Sequence, residues 1–523
     1  MDLAIKIGML VLFFGTMIGI GIHSRRHATD VNGFVLGGRS VGPWLTAFAF
    51  GTSYFSAVVF VGYAGQFGWK YGIAATWAGI GNALIGSLLA WTVLGRRTRV
   101  MTQHLDSATM PQFFEARFQS PALKIASSAI IFIFLIPYTA SLYNGLSRLF
   151  GMAFHIDYAV CVVVMAVLTG IYVIAGGYMA TAINDFIQGI IMLVGIAAVV
   201  VAVLKSQGGF IASLDALSRV TDSEVTTPGV FNSFFGPDPV NLFGVVLLTS
   251  LGTWGLPQMV QKFYAIKSEK AIHKGTVIST VFAFVVAGGC YFLGGFGRLF
   301  ADRVDLAKDG YDAIIPAMLE GLPAVLIAVV VVLVLSASMS TLSSLVLTSS
   351  STLTLDLIAP MHKKEMKEKT KLAVMRLFVV VFIAISVVIA IVQVKSGVTF
   401  IAQLMGISWG ALAGAFLAPF LYGLYWKRAT RASVWASFAF SCVVMTLNLF
   451  CRSAFPTLLQ SPINAGAFCM LAGLVIVPLV SLVTLRPDKD AVDAVFACYN
   501  RKVSVPVTQA IAEDQESEKG ETK

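Results

Sequence analysis

A run of hydroxyl residues inside an apolar segment is the part of this sequence best suited to bind an ion. The letters from Leu335 to Ser344 are LSASMSTLSS. Ala337, Ser340, Thr341 and Ser344 are spaced i, i+3, i+4 and i+7, so a helix would place them on one face. Hydroxyl and carbonyl oxygens are the ligands that a hard cation prefers. The alternative is that small hydroxyl residues allow close packing between helices.

Asp185 is an acidic residue at the start of another apolar segment, within the letters AINDFIQ of residues 182–188. A carboxylate at full membrane depth costs about 2.5 to 3.5 kcal/mol on insertion scales, so it usually has a partner or a function. Asp185 and Gln188 also have the spacing of a helix capping box. An ion-binding role and a helix-capping role are therefore both open.

The sequence has no motif of a catalytic centre. A P-loop and an H-E-x-x-H metal motif are both missing, and the six cysteines form no C-x-x-C pair. We therefore expect neither enzymatic activity nor an organic cofactor. The net charge of +10 comes from short basic clusters between apolar segments, a pattern typical of membrane orientation and not of a nucleic-acid partner.

The composition places most of the chain in a lipid bilayer, since 57% of its 523 residues are hydrophobic and 12% are charged. A bilayer core requires about 20 apolar residues per helix, and this criterion predicts an all-α polytopic membrane protein with about 13 spans. The predicted spans are 3–22, 42–66, 72–94, 123–151, 158–176, 186–204, 240–260, 277–295, 322–354, 372–394, 398–425, 432–450 and 465–485.

Two of these spans are interrupted at similar places. The second contains GTSYFS at 51–56, and the seventh contains GTWGLP at 252–257. Broken helices at matching positions of two halves indicate a transporter with inverted repeats and a binding site near the midplane. The halves would be about 42–204 and 240–425. The alternative is that glycine and proline are simply frequent in membrane helices.

Basic residues of the connecting segments predict the orientation. One set of alternate loops carries most of them, represented by Arg25, Arg96, Lys262, Lys363 and Lys427. The positive-inside rule places this set in the cytoplasm, the N-terminus outside and the C-terminus inside. We expect 1–485 to form a single transmembrane domain and 486–523 to be a cytoplasmic, partly disordered tail.

Several segments together resemble the sodium:solute symporter family, near its sodium/proline branch. They are Asp30 to Ser40 (DVNGFVLGGRS), Tyr138 to Ser141, Arg148 to Phe150, 176–188 and 337–344. The resemblance covers roughly residues 3 to 450. It implies a leucine-transporter-type fold with five-plus-five inverted repeats, one helix before that core and two after it.

The resemblance also implies ligands for the coupling ion, Na+. The principal sodium site of the family takes two backbone oxygens from the unwound second helix and three groups from the ninth. By motif position these fall on Thr52, Phe55, Ala337, Ser340 and Thr341. Some members bind a second sodium, and its pattern falls on Asp185, Ser340, Ser343 and Ser344.

Substrate residues are inferred in the same way, from the two interrupted helices and from Tyr138, which matches a tyrosine of proline symporters. The candidates are Ser53, Tyr54, Ser56, Tyr138, Trp254 and Gln258. Tyr54 stands where proline symporters have an aspartate, which puts proline itself in question. Val58 and Val59 replace the polar pair of sugar-transporting relatives, which argues against a sugar.

These observations predict a sodium-coupled symporter of a bacterial-type inner membrane that imports a small organic solute, either proline or another small amino acid. A monocarboxylate or a vitamin-like carboxylate of the pantothenate type is the alternative solute. A sodium channel, a uniporter and a transporter-like sensor are different classes that remain open. The segment after Leu485 is too short for a kinase domain, which argues against the sensor.

Overall fold

The computed structural model describes residues 2–154, 157–222, 225–362, 365–396 and 401–500. Lys363, the predicted start of a span at Val398 and most of the predicted tail lie outside these ranges. Within them the chain is almost entirely helical and contains no strand, only an isolated backbone bridge between Val41 and Ile266. The all-α prediction is confirmed.

Helices that are long and apolar enough to cross a membrane make up most of the described residues. Ten single helices meet this criterion, and the pair Pro239–Gly255 and Pro257–Ala265, bent by 45°, is an eleventh. Two of the ten contain 47 and 48 residues. Each of these is about 70 Å long, more than twice the thickness of a bilayer core, so each has the length for two crossings.

The first of the two long helices reverses its direction at Gly72, where φ is +61°. The segments before and after Gly72 both pack on Glu269–Gly294, and their contacts run along that helix in opposite directions. The paired contacts are Gly51 with Phe282, Gly68 with Gly294, Gly79 with Gly288 and Trp91 with Gly275. A glycine is needed at the turn because residues with a Cβ rarely adopt a positive φ.

The second long helix reverses at Gly177, where φ is +53°. Tyr172 Oη donates to Met339 O at 3.0 Å, and Asp185 lies beside Ser340. Residues 172 and 185 would be about 20 Å apart in one straight helix. Because they meet adjacent residues of the same helix, the chain must form a helical hairpin between them.

When each of the two long helices is counted as two crossings and the bent pair as one, the described chain has the thirteen crossings that the sequence predicts. We name them span 1 to span 13. Their bounds are Asp2–Ser24, 43–71, 76–104, Pro121–Phe154, 158–176, 178–206, 239–265, Glu269–Gly294, Ala324–Met361, Glu368–Ser396, Ile401–Tyr425, Arg431–Phe450 and Pro462–Val483. Shorter helices in the connections are Val31–Leu36, Met110–Phe118, Phe210–Ser218, Leu306–Asp309, Ile314–Leu319, Thr457–Gln460 and Lys489–Phe496.

Spans 2 and 7 are broken where the sequence predicts. The first half of span 2 ends at Tyr54, and Phe55 is extended with φ −90° and ψ 113°. Span 7 breaks at Leu256, with φ −77° and ψ 123°, and Pro257 begins its second half. Such breaks leave carbonyl groups at the end of the first half without their usual i+4 donors, so these oxygens are available to other partners.

Spans 9 and 11 form the centre of the molecule. The apolar windows of these two spans are 78% and 94% buried, whereas those of span 1 and span 10 are only 22% and 33% buried. Every residue of span 9 from 330 to 354 is buried, including the whole hydroxyl run. The hydroxyl groups therefore face other helices and not lipid, which requires partners for them inside the protein.

Candidate functional site

The hydroxyl of Thr341 in span 9 faces the break of span 2. Its Oγ1 lies 3.1 Å from Thr52 O, 3.3 Å from Phe55 O and 3.1 Å from Ala337 O. All four residues are buried. A hydroxyl has a single hydrogen and can satisfy only one of these acceptors at a time. Three carbonyl oxygens thus surround one buried hydroxyl, which has fewer donors than there are acceptors around it.

Ser340, the fifth predicted ligand of this first oxygen cluster, is fully buried as well. Its hydroxyl has no hydrogen-bond partner among the residues that the structure describes, and it faces Asp185. Burying a hydroxyl without a partner costs free energy, about 1 to 3 kcal/mol. The hydroxyl of Ser340 and the neutral carbonyl oxygens around Thr341 are ligands of the type that sodium prefers.

The restart of span 2 is held against the same helix. Ala57 N donates to Ser338 Oγ at 3.3 Å, and Val58 N donates to Ser56 Oγ at 3.2 Å. These hydroxyls satisfy two of the backbone donors that are exposed where a helix begins. Span 9 therefore contacts both ends of the break, the carbonyls through Thr341 and the amides through Ser338.

A second polar cluster lies about one helical turn further along span 9 and contains Lys262. Lys262 Nζ donates to Ser344 Oγ at 3.1 Å and lies 3.8 Å from Asp185 Oδ2. The ammonium is also 5.1 Å from the centre of the Tyr178 ring. Ser344 Oγ is in turn 2.9 Å from Ser53 Oγ. This cluster joins spans 2, 6, 7 and 9 through charged and hydroxyl groups.

Two sequence-based expectations about this cluster are wrong. Lys262 is not in a cytoplasmic loop: it lies in Pro257–Ala265, in which every residue is buried. The polar letters of this half-helix resemble a loop, although they belong to a broken span. Asp185 does not begin span 6 and caps no helix, because the helix starts after Gly177, seven residues earlier.

The four residues predicted for a second sodium lie together, but the ammonium of Lys262 is already among them. Ser343 Oγ donates to Ser340 O at 2.9 Å and so is used within its own helix. A sodium ion bound to Asp185 and Ser344 would lie within about 4 Å of Lys262 Nζ. Two unit charges at that distance repel by about 4 kcal/mol at an effective dielectric constant of 20. These residues therefore do not fit a second sodium while Lys262 is in place.

The predicted substrate residues do not all face one pocket. The hydroxyl of Tyr138 faces Ser56, and its ring meets Trp409 of span 11 edge-on, with ring centres 5.9 Å apart. Ser53 instead contacts Ser344. Ser56, Tyr138 and Trp409 are therefore the group next to the break of span 2 that a small solute could contact.

Of the remaining candidates, Trp254 and Gln258 flank the break of span 7, and Tyr54 ends the first half of span 2. Trp254 Nε1 donates to Ile85 O at 2.9 Å, so its polar atom is occupied by span 3. Tyr54 lies near Tyr291 of span 8. Gln258 is fully buried, and neither end of its amide has a hydrogen-bond partner among the described residues. A buried amide in this state is a strong candidate for contact with a solute.

Sequence reasoning missed Lys262 and Trp409. The signal that could have identified Lys262 is the spacing in the second half of span 7, where Gln258, Gln261 and Lys262 are at i, i+3 and i+4. That is the same spacing that identified the hydroxyl face of span 9. For Trp409 no comparable signal exists, because a single aromatic residue in an apolar segment is ordinary.

The broken helices, five spans apart, and the oxygen cluster at the first break define a transporter of the leucine-transporter type. In agreement, the fold is similar to a Na+-coupled sialic acid symporter solved in a substrate-bound outward-open state. The TM-score is 0.74, with 16% identity over 93% of this chain and 99% of that one. It is also similar to Mhp1, a nucleobase-cation-symport-1 family transporter, with a TM-score of 0.50, 13% identity and coverage of 88% and 97%.

The chain belongs to the sodium:solute symporter family, whose model matches residues 34–439. A similar protein is the osmoregulated proline transporter OpuE of Bacillus subtilis (strain 168), with 28% identity over 92% of this chain and 95% of that protein. Another is the sodium/proline symporter of Staphylococcus aureus (strain NCTC 8325 / PS 47), with 30% identity over 81% of this chain and 82% of that protein.

Proposed function

We propose that this protein is a sodium-coupled symporter that imports proline or another small amino acid. The observation that carries the proposal is the convergence of Thr52 O, Phe55 O, Ala337 O and Thr341 Oγ1 at the break of span 2. The names of the two relatives above, a proline transporter and a sodium/proline symporter, support the choice of solute.

Sodium would be held by these four oxygens and by the hydroxyl of Ser340, and when bound it supplies the positive charge that they lack. Thr341 then no longer needs to donate to Thr52 or Phe55, and its lone pair can face the ion. Phe55 and Thr52 are fixed against span 9 at the same time. The geometry of the break in span 2 thus depends on sodium.

The solute would bind beside this break, against Ser56, Tyr138 and Trp409, with the amide of Gln258 as a hydrogen-bonding group. A ring such as that of proline packs favourably on the edge-on pair of Tyr138 and Trp409. Because Ser56 directly follows Phe55, an ion that fixes Phe55 also fixes Ser56. This linkage makes each ligand bind better when the other is present, which is all that coupling requires.

We also propose the membrane orientation that the basic residues predict, with the N-terminus outside and the C-terminus in the cytoplasm. The repeats would occupy about 42–204 and 240–425, so that spans 2 and 7 begin the two halves. Sodium would then enter from the outside of a bacterial-type inner membrane and be released, with the solute, into the cytoplasm.

Uptake by purified protein in liposomes tests the proposal. Labelled proline, other small amino acids and short monocarboxylates are supplied with and without an inward sodium gradient. Accumulation of an amino acid that requires the gradient supports the proposal. If only a monocarboxylate accumulates, the solute assignment changes to a monocarboxylate and sodium coupling is kept. If the uptake of every compound is the same with and without the gradient, sodium coupling is contradicted. Liposomes with Thr341→Val protein are the matched control, since valine has the shape of threonine without its hydroxyl.

A further inference from the structure

We propose that the ammonium of Lys262 takes the place of a second sodium ion in this protein, so that each transport cycle uses one sodium. Lys262 would be a built-in cation of the second polar cluster, which consists of Asp185, Lys262, Ser344 and Ser53. The inference deepens the proposed function and rests on it for the direction of transport. It concerns the number of ions and not the identity of the solute.

The first support is the charge at Asp185. This side chain is fully buried, and neither of its oxygens accepts a hydrogen bond at normal distance within the described residues. A carboxylate in such a place requires a positive neighbour. Lys262 Nζ, at 3.8 Å, is that neighbour, so the cluster is neutral overall without any bound ion.

The second support is the way in which Lys262 is held. The preceding residue, Gln261, donates through Nε2 to Val35 O at 3.1 Å and accepts from Thr348 Oγ1 at 2.8 Å. These contacts fix the half-helix Pro257–Ala265 between the segment before span 2 and span 9. The ammonium is therefore positioned by the backbone and cannot leave the cluster as a free ion does.

The third support is that the ammonium contacts groups that the sodium ligand pattern would use. Lys262 Nζ donates to Ser344 Oγ, and Ser344 Oγ contacts Ser53 Oγ of span 2. The broken spans 2 and 7 are thereby connected through span 9. A second sodium would make the same kind of connection and would then be released, whereas Lys262 makes it permanently.

Equilibrium binding of radioactive sodium to the purified protein, without any solute, tests the inference. We expect the natural chain to bind about one sodium ion per polypeptide with a Hill coefficient near one. Lys262→Met removes the charge and keeps much of the apolar side chain. We expect this variant to bind about two ions, with a Hill coefficient that rises toward two.

Three further variants serve as controls. Lys262→Arg keeps the positive charge, so binding should stay at one ion, and the double variant Lys262→Met with Asp185→Asn should return to one because the carboxylate is gone. Thr352→Val removes a buried hydroxyl of span 9 about two turns from Ser344 that donates to Thr348 O of its own helix, so its binding should equal that of the natural chain. A folded Lys262→Met protein that binds one ion would overturn the inference.

The natural chain alone also decides the matter if Lys262→Met does not fold, since binding of two ions by the natural chain overturns the inference directly. Failure of the proposed function gives a different result. A protein that binds one sodium but accumulates none of the tested solutes would support the role of Lys262 and contradict the solute assignment. A protein that binds no sodium would contradict both proposals.

Discussion

Two polar clusters lie on span 9, about one helical turn apart, and they differ in how their charge is balanced. The first gathers neutral oxygens, three carbonyls and the hydroxyl of Thr341. The second pairs a buried carboxylate, Asp185, with a buried ammonium, Lys262. The first has more acceptors than donors and gains from an added cation. The second already contains its cation.

The difference follows from which helix faces each cluster. The first cluster faces the break of span 2, where the chain supplies backbone carbonyls and no side-chain charge. The second faces the unbroken helix of span 6 and the second half of span 7, which supply one carboxylate and one ammonium. Two successive turns of one hydroxyl-rich helix can thus have different tasks, a reversible ion site and a fixed electrostatic link between helices.

Removing one charge of the second cluster should have the largest effect. Asp185→Asn leaves the ammonium of Lys262 buried without a counter-charge, and breaking a buried pair in this way costs about 3 to 5 kcal/mol. We expect a clearly lower melting temperature in detergent and lower expression. Adding Lys262→Met should restore much of the stability, because the double variant leaves no unpaired charge. Equal stability of the two variants would show that the charges are not coupled.

Removing the hydroxyl of the first cluster should affect sodium and leave stability nearly unchanged. In Thr341→Val the ion loses one ligand, and a hydrogen bond or contact to a charged group is worth about 1.5 to 3 kcal/mol. The sodium concentration for half-maximal uptake should therefore rise about ten-fold or more. Thr352→Val, which removes a hydroxyl that donates within span 9, is the control, and it should keep the original sodium dependence. A similar shift in both variants would assign the effect to packing.

Ser340→Ala should have a smaller effect in the same direction, because the hydroxyl of Ser340 faces Asp185, whereas that of Thr341 contacts the carbonyls of the break directly. We expect the half-maximal sodium concentration to rise several-fold, by about 1 kcal/mol of binding free energy. Expression should change much less. An unchanged sodium dependence would remove Ser340 from the ion site and leave it as a neighbour of the carboxylate.

Much of this architecture can be predicted from the sequence, because membrane spans and broken helices have local signals. Thirteen apolar segments predicted the all-α membrane architecture, GTSYFS in span 2 and GTWGLP in span 7 predicted the two breaks, and the resemblance to sodium:solute symporters implied the leucine-transporter-type fold. The boundaries were less accurate: span 3 continues to His104 through Arg96, Arg97 and Arg99. A helix does not end where its apolar residues end.

The pairing inside the second cluster could not be predicted, since it depends on how distant segments meet. Lys262 is 77 residues from Asp185 and 82 from Ser344 along the chain, and its local sequence resembles a basic loop. The hairpin at Gly177 also had a local signal in Gly176 and Gly177, but the sequence did not reveal that the helix resumes at once. Asp185 was therefore placed at a helix start instead of inside a helix.

The smallest effect on stability is expected from an exposed ion pair whose nitrogen–oxygen distance is shorter than that of the buried pair. Arg96 Nε lies 2.6 Å from Glu269 Oε2, and the two side chains are 73% and 50% exposed. Glu269→Gln should lower the free energy of unfolding by less than about 1 kcal/mol, because exposed pairs are screened by water and salt. The melting temperature in detergent, compared with that of Asp185→Asn, measures this. A larger loss at Glu269 would mean that distance and not burial determines the strength of an ion pair in this protein, and the contrast between the two polar clusters would then lose its physical basis.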